Sequence, residues 1–165
     1  MKFSRILVPV SGEAIDKELI ELACKVAKEA KNKEAKSKVY VVYVIRIKRS
    51  LPLDAEFKPE IQKAESVLTH AEEIADEQNY EVETDLLQAR EEGPAIVDEA
   101  VERSIDLIVM AANYCKRFEL LDLGDTISYV LKGAPFNLGD TVSYVLKNAP
   151  CRVLLLHSPF PEKQR

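Results

Sequence analysis

Short runs of apolar, largely β-branched residues alternate along this chain with stretches patterned for helices, and that alternation restricts the fold more than any other feature. Ile6-Leu-Val-Pro-Val10, closed by Ser11-Gly12, reads as a buried strand followed by a loop. Val39–Ile45, Val82–Ala89, Ile105–Ala111 and Cys151–His157 repeat the signal, and Pro159 and Pro161 follow the last. Between them Leu19, Ala23, Val26, Ala27 and Ala30 recur at helical spacing. A near-repeat, Lys28–Asn32 and Lys33–Ser37, is expected to lengthen that helix as a solvated extension. Residues 47–58 read as a loop, and Pro59-Glu60 suits a helix start with Ile61, Ala64, Val67, Leu68, Ala71, Ile74 and Ala75 inward. Gly93-Pro94 opens a third helix facing in through Ile96, Val97, Ala100 and Val101. Strands separated by helices of this length imply βαβ crossovers. The expected fold is an α/β, five-stranded parallel sheet with helices on both faces.

The chain's 165 residues suffice for one core, so residues 1–165 are expected to form a single domain. A net charge of −5 argues against a nucleic-acid partner, whose phosphates demand clustered Lys and Arg. The apolar stretch Ile105–Ala112 falls far short of the roughly 18 residues that span a bilayer, so no membrane partner is expected. Met1–Arg5 runs straight into a strand and leaves no room for a signal peptide, which makes the cytoplasm the expected compartment. Cys24, Cys115 and Cys151 are widely spaced and are expected to be reduced, idle thiols. His70 and His157 lack metal-ligand spacing, and no metal is expected.

Before the last strand the chain copies itself. Leu123–Asn137 (LGDTISYVLKGAPFN) and Leu138–Arg152 (LGDTVSYVLKNAPCR) agree at eleven of fifteen positions. Each copy reads as a helix, with Asp125 or Asp140 as N-cap and Ala-Pro as breaker. Ile127, Val130, Leu131 and Ala134 of the first inner face are echoed by Val142, Val145, Leu146 and Ala149. Two such units are too few for a solenoid. The second copy runs directly into the last strand and is expected to be the crossover helix. The first is then one extra helical segment before that strand.

Three separated stretches carry a resemblance to the universal stress protein family: Arg5–Gly12, then Glu92–Val97 with Asp106–Met110, then Leu138–Leu156. The resemblance covers nearly the whole chain. It implies a Rossmann-like sheet of the adenine nucleotide alpha hydrolase type, a cytoplasmic homodimer and a place in stress survival. It further implies a choice between an ATP-binding and a non-binding branch. The binding branch has an Asp after the first strand. After the fourth it has Gly, two residues, Gly, nine residues, and Gly followed by Ser or Thr. Here Ser11 stands at the Asp position, Ala111 and Tyr114 replace the first two glycines, and Gly124 is followed by Asp125. The second copy offers Gly139 with Asp140, which has the same defect.

These changes oppose phosphate binding. A phosphate loop needs glycine for close backbone approach and positive φ. A carboxylate at a helix start competes with an anion for the same dipole. The expectation is therefore a regulatory or scaffolding module that holds no cofactor and does not take ATP by the family motif. The alternative is an ATP- or AMP-binding protein whose phosphate contacts are rebuilt by Lys116, Arg117 or the first repeat copy. No triad, metal cluster or carboxylate pair suggests an enzyme. The partner expected is a second copy of the chain, paired through the edge strand Val153, Leu154, Leu155 and Leu156, alongside protein partners that the sequence does not identify.

Overall fold

In the computed structural model the chain is described over residues 2–30, 36–112 and 139–156. The elements run β1 (Arg5–Val10), α1 (Ile15–Glu29), β2 (Lys38–Arg46), α2 (Lys58–Glu77), β3 (Glu83–Ala89), α3 (Glu92–Glu102), β4 (Leu107–Ala111), α4 (Gly139–Asn148) and β5 (Arg152–Leu156). They build one parallel five-stranded sheet in the order β3-β2-β1-β4-β5.

The continuous apolar runs of β1, β2 and β4 follow from a sheet covered on both faces, because successive side chains point to opposite sides. Ile6, Val8 and Val10 with Val39, Val41 and Tyr43 face α1 and α2, whose Leu19, Ile20, Ala23, Ala64 and Ala71 meet them. Leu7, Tyr40, Val42, Ile108 and Met110 face the other way, onto Ile96, Val97 and Ala100 of α3 and Val142 and Val145 of α4. The second repeat copy is thus the crossover helix into β5. Asp140 falls inside its first turn and not at the N-cap, because the helix already begins at Gly139. There the carboxylate complements the positive end of the helix dipole.

Helix ends explain where the elements stop. Asn79 and Ser104 adopt left-handed backbone, with φ of 51° each. Asn79 N–H bonds Asp76 C=O and Tyr80 N–H bonds Ala75 C=O, while Ser104 and Ile105 do the same to Val101 and Ala100. Both are Schellman endings, and each packs a buried residue, Tyr80 or Ile105, under the last turn. This is why β4 begins at Leu107 although the apolar run begins at Ile105. Ile105 closes α3, and the Asp106 carboxylate accepts the N–H groups of Ser4 and Arg5 at 2.8 and 3.0 Å, tying β4 to β1. α1 ends at Glu29 with Ala30 as its C-cap. The expected extension through Ser37 is not borne out at Lys36 and Ser37, which are not helical, and residues 31–35 lie outside the described residues.

A charged cluster fastens α3 to the far edge of the sheet. Arg103 donates to Glu99 on its own helix and to Asp85 of β3 at 2.6 Å. Its guanidinium lies 4.8 Å from the centre of the Tyr40 ring. Glu99 sits four residues before Arg103, the favourable order along a helix, and only 7% of it is exposed.

Candidate functional site

The strand order reverses between β1 and β4: β1 leads through α1 to β2, and β4 leads through α4 to β5 on the opposite side and face. In open parallel sheets the crevice beyond the carboxyl ends of such a strand pair receives ligands. Helix N-termini converge there, since crossover helices run antiparallel to the strands. Pro9 has no N–H to donate, and the β1–β4 ladder, Ile6↔Leu107 and Leu7↔Ile108, ends before it. β1 keeps its pairing with β2 through Val10↔Tyr43.

The loop that leaves β1 is organised around Asp16. Gly12 turns at φ +85°, a conformation that L side chains avoid, and a Cβ there would lie 3.0 Å from Val67 of α2. This turn aims two backbone donors at the Asp16 carboxylate: Gly12 N–H at 2.7 Å, and Ser11 N–H at 3.2 and 3.3 Å to its two oxygens. Asp16 is buried and is itself held by its N–H on Glu13 C=O at 3.0 Å. Desolvation raises its carboxyl above the ordinary 3.8, and the bonds from Gly12 and Ser11 oppose the shift. These two donors of the β1–α1 loop are therefore filled by the chain's own carboxylate. The sequence reading missed Asp16. The legible signal was an acid in the first helical turn directly after a Ser-Gly loop.

The structure brings Ser11, Ala111, Gly139 and Asp140 to this end of the sheet. Ser11 is exposed and Ala111 half-buried, next to Ala112, whose N–H bonds Leu156 C=O at 2.9 Å. Asp140 is exposed in the first turn of α4. Thr141 Oγ1 donates to Glu92 Oε2 at 3.3 Å, tying the N-termini of α3 and α4 together. Tyr114, Gly124, Asp125, Cys115, Lys116, Arg117, His157 and the first repeat copy lie outside the described residues.

Basic groups cluster toward the β2 and β3 ends of the same rim. Arg90 donates to the carbonyls of Ile47 and Lys48, and Arg49 pairs with Glu91 at 3.6 Å. Cys24 is buried and its thiol is pushed up to about 11 by desolvation. Burial likewise raises the thiol of half-buried Cys151. Neither is a thiolate at neutral pH. Among the described residues no group of three or more His, Cys, Asp or Glu converges as metal ligands, and no helix is long and apolar enough to cross a membrane.

The four edge residues do not behave alike. β5 pairs with β4 and ends the sheet. Val153 and Leu155 pack onto the α3–α4 core and Leu156 onto the other. Leu154 is 39% exposed.

The family model described as the Universal stress protein family matches residues 2–157. A universal stress protein from Archaeoglobus fulgidus is similar in structure, with 23% identity, a TM-score of 0.64, and 94% of each chain covered. The same organism's protein in complex with dAMP has 22% identity and a TM-score of 0.60, over 94% of this chain and 98% of that one. A universal stress protein in complex with cAMP has 15% identity and a TM-score of 0.62, over 95% of this chain and 98% of that one. No curated protein matches the chain.

Proposed function

Because this chain belongs to the universal stress protein family, we propose that it is a stress-response module of the cytoplasm that regulates or scaffolds other proteins and does not hold ATP through the family motif. One observation carries the reading: the Asp16 carboxylate occupies the Ser11 and Gly12 N–H groups at the mouth of the crevice. Those donors are already satisfied, and a polyphosphate would meet a buried negative charge at close range. Ser11 and Ala111, in place of the motif's Asp and Gly, act in the same direction.

The second reading is an adenine-nucleotide-binding protein. It is favoured by the open end of the β1–β4 ladder and by the structural relatives that hold cAMP and dAMP. A single phosphate on a nucleoside carries less charge into the crevice than ATP does. Native mass spectrometry of freshly purified protein, followed by calorimetric titration with ATP and AMP, separates the two. Bare protein and no heat from either ligand are expected. A co-purified adenine nucleotide or saturable binding of AMP establishes the second reading.

The proposal includes a homodimer joined through β5. Leu154 stands exposed on a strand with one neighbour in the sheet, an edge that invites pairing unless it is covered. Strand addition about a two-fold axis would continue the sheet and bury Leu154. Leu154→Lys is expected to convert a dimer to monomer in light scattering, with its circular dichroism unchanged. A dimer that survives the change rejects this interface. Leu155→Lys is the poorer variant, because Leu155 faces the core and its loss unsettles the fold itself.

A further inference from the structure

We infer that the seat of α4 has two interchangeable occupants: the helix of the first repeat copy, residues 124–133, can take the place of the second. The seat reads α4 through a small set of contacts. Val142 and Val145 are buried against α3, β4 and β5, with Leu146 and Ala149 packed around them. Thr141 bonds Glu92. Tyr144 lies so close to α3 that a Cβ on Gly93 would stand 2.8 Å from the tyrosine's own Cβ. Five of these six second-copy residues recur in the first copy as Thr126, Tyr129, Val130, Leu131 and Ala134, and Ile127 stands for Val142.

Two positions differ inside the helix. Ile127 adds one methylene at a buried position, an overpacking that strains the seat and makes the first copy its weaker occupant. Gly133 replaces Asn148, whose side chain caps only its own helix by donating to Tyr144 C=O at 2.8 Å. Connectivity permits both registers, since both copies lie between β4 and β5. Residues 113–123 exceed the few residues that join a strand to a helix in α/β folds. A longer connection from the first copy to β5 adds only the slow, logarithmic cost of loop closure. The register decides how many residues separate β4 from the seated helix: 113–138 when the second copy is seated, 113–123 when the first is.

The test is a double-mutant cycle in the full chain, with thermal unfolding followed by circular dichroism. Val145→Asp places a carboxylate in the buried seat, and Val130→Asp does so in the other occupant only. Val130→Asp is expected to leave Tm within about 2 °C of the parent, as changes away from packed contacts do. Val145→Asp should still unfold cooperatively, because the first copy replaces the damaged one. The double variant should lose its cooperative transition, a drop far beyond the sum of the singles. Excision of residues 133–147, which joins the first copy's helix directly to β5, should give a folded protein. Additive losses, a Val145→Asp protein as unfolded as the double variant, or a large loss from Val130→Asp alone would each overturn the exchange.

Discussion

Asp16→Ala is expected to cost about 2 kcal/mol, because it leaves two backbone donors of the β1–α1 loop without their acceptor. In a domain of this size that lowers Tm by roughly 4–8 °C. Asp16→Asn keeps an acceptor in the same place and should lose less. The pair also has a pH signature. Burial raises the Asp16 carboxyl above 3.8 in the folded chain, so the folded state holds that proton more tightly than the unfolded state does. The stability this contributes is present below the unfolded value of 3.8 and is lost as pH rises through the folded value. Asparagine cannot ionise. The Tm difference, Asp16→Asn minus parent, should therefore grow as pH rises from about 3.8 and level off above the folded value. Melting curves taken from pH 3 to pH 7, a range bracketing the ordinary carboxylate value, decide the matter. A difference that stays flat or shrinks would show that Asp16 is not buried as a charge.

Arg103→Ala should cost about 3 kcal/mol, near the lower end for breaking a buried ion pair, since a quarter of the arginine side chain reaches water. The change removes the bonds to Glu99 and Asp85 and the stacking on Tyr40 together, and it strands the buried Glu99 carboxylate. Arg103→Lys should recover only part, because a single ammonium does not reproduce the planar fork that meets two carboxylates and a ring. Adding Glu99→Gln to Arg103→Ala should restore some stability by removing the stranded charge. Urea unfolding measures all four proteins. If the double variant is no more stable than Arg103→Ala, desolvation of Glu99 is not the source of the loss.

The fold was legible because period-two and period-3.6 patterns are local, and each apolar run announced its own element. The boundaries that shifted were those set by contacts between elements. Ile105 reads as strand in sequence, but it closes the end of α3. Asp106 sits in the same run and bridges to β1. Asp140 reads as an N-cap because capping residues are recognised by type, and the turn in which the helix starts is set by packing against α3. Glu99 and Arg103 stand four residues apart in the chain, whereas the other partners of Arg103, Asp85 and Tyr40, lie on β3 and β2.

By itself the sequence determined the alternation of strands and helices, the two-faced sheet and the repeat, all of which are properties of residues near one another in the chain. The tertiary structure alone decided the order β3-β2-β1-β4-β5, which strand pair parts at the crevice, and which of four apolar edge residues stays exposed. It also decided that Asp16 turns inward onto the loop. A carboxylate in a first helical turn is equally at home in solvent, and only the left-handed turn at Gly12, pressed against Val67, brings two donors close enough to hold it.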